Sequence, residues 1–205
     1  MKKCIRVLAA ALSILLLPLT APAAAAAVNL LQNHSFENDS AWVIWPNYGV
    51  IEYCSAKSSR GARSIRMQDS NATSSGGVAQ AFAAQPGQTY TLSADLCIPA
   101  ALAGPGGAAL GFTYIDTNGI WNHETAQPVK STDGWERYSF TFTYPEDAAH
   151  TFYAAITQNF AAGEIYVDNV RLEKCRETQC SFFSRLCEII AGWWQRLCNW
   201  LSPGA

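Results

Sequence analysis

Charge is scarce in this sequence, and the charge that is present is mostly acidic. Charged residues make up 15% of the 205, with 14 Lys and Arg against 16 Asp and Glu. Three basic residues lie within the first six positions, so the chain after residue 27 keeps 11 basic residues against 16 acidic ones, a net charge of −5. No run of Lys or Arg remains there to neutralise phosphates. This composition excludes nucleic acid and anionic lipid as the main partners.

The patterns that indicate catalysis or zinc binding are also missing. There is no Gly-rich phosphate loop, and the three His have no evident Ser or Cys partner arrangement. Acidic residues are scattered, with no pair that suggests the two carboxylates of a glycoside hydrolase. The Cys spacing lacks the paired C-x-x-C of a zinc site. The sequence therefore predicts a protein that is not an enzyme.

The N-terminal residues 1–27 have the three-part pattern of a secretory signal peptide. Lys2, Lys3 and Arg6 give a positive start, an apolar run follows over 5–19, and small residues fill 23–27. The apolar run is shorter than the roughly 18 residues that a membrane-spanning helix needs. We expect a secreted, extracellular protein of bacterial type.

Six of the seven Cys follow the predicted signal peptide, an even number that permits disulfides outside the cytoplasm. Spacing alone does not fix their pairing. Cys54 and Cys97 both end predicted strands, so one suggested pairing would link them across the β-region. Cys175 and Cys180 would close a small loop after it.

Residues 28–174 predict an all-β domain. Short segments with alternating apolar and polar residues are separated by turns rich in Gly, Asn, Asp and Pro, and no helical pattern interrupts them. Nine or ten such strands are enough for a β-sandwich of two antiparallel sheets. The clearest of these segments are 49–54, 64–68, 89–96, 110–116, 137–144, 151–157 and 164–172.

The last segment, residues 175–205, is Cys- and Trp-rich and has a different periodicity. Apolar residues recur at steps of three and four over 181–201, which predicts an amphipathic C-terminal helix. Three roles stay open for this helix. It would pack on the β-domain, pair with a second copy in a homo-oligomer, or lie on a membrane or another partner.

Six separated segments of the β-region resemble, in order, the motifs of the carbohydrate-binding modules grouped as families 4, 9, 16 and 22. They are NLLQNHSFE at 29–37 followed by Trp42, GARSIR at 61–66, GVAQ at 77–80, PGQTYTLSA at 86–94, GW at 134–135 and IYVDNVRL at 165–172. The resemblance implies a jelly-roll sandwich that binds a polysaccharide or oligosaccharide in a cleft on its concave sheet. The tail has no counterpart in these motifs.

The resemblance also implies a structural calcium near the first and last strands. Calcium takes several oxygen ligands, with carboxylates supplying charge. The matching carboxylates are Glu37 and Asp168, with backbone carbonyls near Asn33 and Ser35 completing the shell. The alternative is that both carboxylates only cap turns by hydrogen bonding.

A sugar ring offers an apolar face to aromatic side chains and a belt of hydroxyls to amides and carboxylates. Two stretches combine these groups, residues 45–48 and 114–123. The period of two places Phe112, Tyr114 and Asp116 on one strand face, which we expect to line the cleft. The candidate carbohydrate-binding residues are Trp45, Tyr48, Tyr114, Asp116, Trp121, Tyr153 and Gln158.

The sequence thus predicts a secreted, non-catalytic polysaccharide-binding module. The alternatives are a structural or adhesive module that assembles through its C-terminal helix, and an accessory subunit of a glycoside hydrolase system. An enzyme of unrecognised type is a further alternative, which two convergent buried carboxylates would support.

Overall fold

The computed structural model describes residues 28–45 and 49–175, without the side chains of residues 150 and 151. This part of the chain forms ten β-strands, in agreement with the nine or ten predicted. The strands are β1 (Val43–Trp45), β2 (Val50–Cys54), β3 (Ser64–Asp69), β4 (Ser75–Ala81), β5 (Thr89–Cys97), β6 (Gly107–Asp116), β7 (Trp121–Thr125), β8 (Trp135–Thr143), β9 (Ala148–Asn159) and β10 (Gly163–Lys174).

The strands form two five-stranded sheets. The first, sheet A, has the order β1-β4-β9-β6-β7, and the second, sheet B, has the order β2-β3-β10-β5-β8. Every pairing between neighbours is antiparallel. The all-β prediction of two antiparallel sheets is therefore confirmed for the described residues.

Strand β5 shows why the sequence folds into sheets. Its Tyr90, Leu92 and Ala94 are buried between the sheets, while Thr89 and Thr91 alternate with them on the outer face. The two outer threonines pair with threonines of β8 through side-chain hydroxyls, at 2.7 and 2.8 Å. Strict alternation of this kind fixes the register, since a shift by one residue would expose the apolar set.

The core between the sheets is dominated by aromatic rings at one end. Phe112 of sheet A stacks on Phe142 of sheet B, with ring centroids 5.6 Å apart. The ring of Tyr144 meets that of Phe152 edge-on at 4.8 Å. Such pairs contribute about 0.5–1.5 kcal/mol each beyond the burial of their area. This cluster joins the two sheets rigidly.

Strand β6 differs from β5 because both of its faces are covered. Residues 107–114 are all buried. Leu110, Phe112 and Tyr114 point into the aromatic core, so Ala109, Gly111 and Thr113 lie on the opposite, outer face of sheet A. The outer face of this central strand is thus paved with small side chains, which leaves a depression along the sheet.

The suggested disulfide between Cys54 and Cys97 is wrong. Both cysteines are free, and β3 and β10 lie between their strands. Three strand spacings put the two strands roughly 14 Å apart, well beyond the distance that a disulfide spans.

Several predictions fall outside the described residues: the signal peptide 1–27, Tyr48, Cys180 and the helix over 181–201. In the part of the chain that the structure describes, no helix has the length and apolar character needed to cross a membrane.

Candidate functional site

A cleft of about 720 Å³ runs along the outer face of sheet A. Its floor follows the strand register, in which Ala109 pairs with Thr157 and Gly111 pairs with Ala155. These small side chains keep the floor low. A ligand lying in the cleft would therefore come close to the sheet itself.

Aromatic side chains from both edges of sheet A form the walls. Trp45 comes from edge strand β1, and Trp121 comes from edge strand β7. Both meet Tyr153 of the central strand β9. The Trp121 ring stacks on it at 6.4 Å with an interplanar angle of 25°, and the Trp45 ring meets it edge-on at 6.0 Å. The three rings, named here the aromatic wall, hold one another in place.

The aromatic wall is preorganised and still accessible. Trp121 is 56% exposed although its ring is stacked on Tyr153. One face of the indole is thus supported by protein, and much of its remaining surface is free for a ligand. A rigid, exposed aromatic ring binds at low cost in conformational entropy.

Polar groups in the cleft are few and uncharged at neutral pH. Thr113 Oγ1 lies 2.7 Å from His123 Nδ1, and Thr125, Thr157 and Asn159 also line the cleft. Among the described lining residues there is no Asp, Glu, Lys or Arg. Hydroxyl, amide and imidazole groups suit the hydroxyls of a neutral ligand, whereas the pair of carboxylates needed for glycoside hydrolysis is missing from this lining.

The stability contribution of His123 depends on pH in a predictable direction. Partial desolvation lowers the pKa of His123 below its ordinary value of 6.5, against a smaller opposing effect of Glu124, and because the residue is exposed on the cleft the effect on stability is small. Because the folded pKa is the lower one, the stability from the neutral ring is fully present above about pH 6.5. It is lost as the pH falls through the folded pKa.

We expect wild type to lose more unfolding free energy than His123→Gln between pH 7 and pH 5 in urea titrations. Equal losses would contradict this assignment.

Three of the predicted carbohydrate-binding residues come together in the structure. Trp45 and Trp121 line the cleft, and Tyr153 connects them. The prediction that Tyr153 and Thr157 face away from the core strand residues Ala154 and Ile156 agrees with the register. Glycan contact by these residues stays a prediction.

The prediction that the Phe112–Tyr114 face of β6 lines the cleft is wrong. Tyr114 is only 7% exposed, and its ring lies 5.5 Å from that of Tyr144 and 6.1 Å from that of Phe142 in the core. Because β6 is buried on both faces, alternation did not reveal which face points inward. The larger side chains fill the core, and the smaller ones form the cleft floor.

Asp116 and Gln158 also have structural roles. Asp116 Oδ1 accepts hydrogen bonds from the backbone N–H groups of Asn118 and Ile120, both at 2.9 Å, and so shapes the turn between β6 and β7. Gln158 is fully buried. Its amide donates to the carbonyl of Ala161 at 2.8 Å. Neither residue lines the cleft, so we leave both out of the proposed site.

Most residues that line the cleft were not singled out by sequence reasoning, among them Thr113, His123 and Phe160. The signal for two of them was available. Thr113 and His123 pair in the register of β6 and β7, two residues along from the pair Ile115 and Trp121. A correct placement of this hairpin would have put both residues on the same face as Trp121. Nothing in the sequence marks Phe160, which lies in a turn.

The two predicted calcium ligands contact the same loop, residues 57–63. Asp168 is fully buried and accepts the backbone N–H groups of Ser59 at 2.7 Å and Arg60 at 2.8 Å. Glu37 accepts the N–H of Ala62 at 3.1 Å. Among the described residues, no group of three or more His, Cys, Asp and Glu could hold a metal ion. N–H donors already point at these carboxylate oxygens, which favours the turn-capping alternative, and calcium binding stays a prediction.

Chelation tests this interpretation. We expect the melting temperature to be the same in EDTA and in excess calcium, because the N–H donors of the loop already hydrogen-bond both carboxylates. Asp168→Ala is expected to cost about 1–3 kcal/mol by leaving buried N–H groups unpaired. A melting temperature that falls in EDTA and recovers with calcium would restore the calcium site.

Comparison with known proteins gives the family and the fold of the β-domain. The family model described as carbohydrate binding domain matches residues 28–159. No curated protein matches the chain. Among solved structures, the chain resembles the CBM22-1 xylan-binding domain of Paenibacillus barcinonensis Xyn10C at 17% identity, with a TM-score of 0.56, over 74% of this chain and 97% of that one.

Two further structures show the same fold. The C-terminal family 22 carbohydrate-binding module of Clostridium thermocellum Xyn10B is 17% identical, with a TM-score of 0.56, over 69% of this chain and 90% of that one. A structure named Family 16 Carbohydrate Binding Module-2 is 20% identical, with a TM-score of 0.51, over 70% and 99%. With the family model covering most of the β-domain, the chain belongs to the carbohydrate-binding domain family.

Proposed function

We propose that this protein is a secreted module that binds a neutral polysaccharide in the cleft of sheet A and carries out no chemistry on it. The observation that carries the proposal is the aromatic wall beside an uncharged floor. Trp121 and Trp45 come from the two edges of one sheet face, and the ring of each contacts that of Tyr153 at its centre. Flat rings of this kind match the apolar face of a sugar ring.

The shape of the cleft favours a chain over a small molecule. It runs past residues of β1, β4, β9, β6 and β7, from Asn159 at the end of β9 to Trp121 at the other end of edge strand β7, so it crosses the sheet obliquely. An open groove accepts a segment of a longer polymer, whereas a closed pocket accepts a chain end. Xylan is the first polysaccharide to test, since one similar structure is named a xylan-binding domain.

The non-catalytic part of the proposal depends on the cleft lining. Its described residues include no carboxylate, and His123 is hydrogen-bonded to Thr113. Partial desolvation lowers the pKa of His123, which favours the neutral ring at pH 7. Without an acid and a base on either side of a bound chain, the cleft binds but does not hydrolyse.

A polysaccharide panel tests both parts. The full chain is mixed with insoluble xylan, cellulose and mannan, and the bound fraction and released reducing ends are measured. We expect retention on at least one polysaccharide with no release of reducing ends above the protein-free control. Release of reducing ends by wild type would contradict the non-catalytic role, and a folded sample that no neutral polysaccharide retains would contradict binding.

A further inference from the structure

Phe160 lies at the opposite end of the cleft from Trp121 and is 52% exposed. It belongs to the turn between β9 and β10, where the chain crosses from sheet A to sheet B. A large aromatic side chain in a turn is normally buried or replaced by a polar residue, because its exposure gains nothing for folding. Single exposed apolar side chains are common, so the position of this ring at the cleft is the observation that matters.

The backbone of Phe160 adds to that observation. Its φ is +45°, in the left-handed region. Gly, Asn and Asp adopt this conformation readily, whereas a bulky residue there is unfavourable. Phe36 has a similar φ of +58° and is fully buried in the core, so what distinguishes Phe160 is the exposure of its ring at the cleft. A residue chosen only for stability at this position would be Gly or Asn.

The surrounding structure imposes this conformation on the turn. The N–H of Phe160 donates to the carbonyl of Ser74 at 2.8 Å, and its carbonyl accepts the N–H of Gly106 at 3.1 Å. A Cβ on Gly106 would lie 1.7 Å from the carbonyl oxygen of Asn159, so only glycine permits this close approach. The next residue, Ala161, is fully buried in the core. The turn is thus anchored on three sides, and the Phe160 ring is held at the cleft.

Phe160 is far from Trp121 and Tyr153, whereas Trp45 lies level with Thr157 in the strand register and so is nearer to Phe160. Tyr153 and Asn159 lie six residues apart in β9, which corresponds to about 20 Å along an extended strand. A small sugar bound on Trp121 would not reach Phe160. Only an extended chain would contact both ends of the cleft.

We propose that Phe160 is a second aromatic binding platform, which contacts glycan chains long enough to extend along the cleft from the aromatic wall. This inference rests on the proposed function and adds a dependence on chain length. Phe160 determines how much affinity a longer chain gains, and the aromatic wall binds short and long chains alike.

The test is a chain-length series measured by isothermal titration calorimetry. The wild-type full chain and the Phe160→Asn variant are titrated with oligosaccharides of increasing length. The oligosaccharides come from the polysaccharide that binds wild type in the panel. For wild type, we expect affinity to rise until the chain spans the cleft. For Phe160→Asn, we expect the shortest ligand to bind equally well and the longest about tenfold more weakly. The melting temperature should stay the same or rise, since Asn tolerates the left-handed backbone.

Two further variants make the result decisive. Phe160→Leu keeps an apolar side chain and the same backbone strain but loses the flat ring, so it should show the same loss for long chains even if the Asn variant folds poorly. Val50→Asn removes an exposed apolar side chain from sheet B and should leave the series unchanged. If wild type binds glycan and both Phe160 variants show the same dependence of affinity on chain length as wild type, the platform is refuted while the proposed function stands. If wild type binds no glycan, both fail.

Discussion

Replacing Trp121 by Ala is expected to weaken polysaccharide binding by about 10- to 100-fold, which corresponds to the burial of one aromatic side chain against a ligand. Trp121 is 56% exposed and lies on an edge strand, so the fold loses little when the ring is removed. The melting temperature should stay close to that of wild type. Affinity electrophoresis in a gel that contains the polysaccharide bound by wild type measures the binding, and calorimetry measures the stability.

The substitution Trp121→Phe separates stacking from other roles of this residue. It keeps a flat ring beside Tyr153 and should retain most of the affinity. Val50→Ala on sheet B serves as the control for the loss of an exposed apolar side chain. Unchanged migration of Trp121→Ala, with the same melting temperature as wild type, would place the binding surface elsewhere on the molecule.

Replacing Phe112 by Ala is expected to lower the free energy of unfolding by about 3–5 kcal/mol, the range for large-to-small substitutions of core aromatics. The Phe112 side chain is fully buried. It contacts rings from both sheets, among them Phe82, Phe140 and Phe142. Its removal leaves a cavity at the junction of the sheets. Urea denaturation of wild type and variant gives the difference directly.

The neighbouring residue Tyr114 provides a milder variant that tests the same face of β6. Tyr114→Phe keeps the ring in the core, so the protein should stay folded and bind polysaccharide like wild type. A small stability loss in Phe112→Ala, or a loss of binding in a well-folded Tyr114→Phe, would show that this face lines the cleft after all.

Much of the fold was predictable because alternation was unambiguous where one strand face is polar. In β5 and β8 the outer positions carry Thr and Ser, and the inner ones carry Leu, Ala, Phe and Tyr. Burial of one face and hydration of the other leave a single register. The strands that begin at Thr89 and at Trp135 were therefore placed within two residues by their pattern alone.

The candidate site was harder to predict, because the cleft floor looks like core. Ala109 and Ala155 are as buried as Leu110 and Ile156, since the aromatic wall and neighbouring strands cover them. In such a strand the two faces differ in side-chain size and hardly in polarity. The choice of the Tyr114 face followed the polar Asp116 at its end, whose carboxylate turned out to shape a turn.

Contacts between residues distant in sequence explain the remaining differences. The position of Phe160 depends on Ser74 and Gly106, which no local pattern connects with it. Asp168 and Glu37 both lie against the loop 57–63, yet their carboxylates accept N–H groups of that loop. Motif matching identified the two residues but not the N–H groups that their carboxylates accept.

The central claim is that a glycan binds on the outer face of sheet A, and mapping of amide chemical shifts by NMR tests it most directly. The ¹⁵N-labelled full chain is titrated with an oligosaccharide fragment of the polysaccharide that binds wild type. The account predicts shifts concentrated in β1, β6, β7 and β9 around Trp45, Trp121 and Tyr153, with the amides of β3, β5 and β8 unchanged. Shifts concentrated on sheet B, or saturable binding without shifts around the aromatic wall, would contradict it.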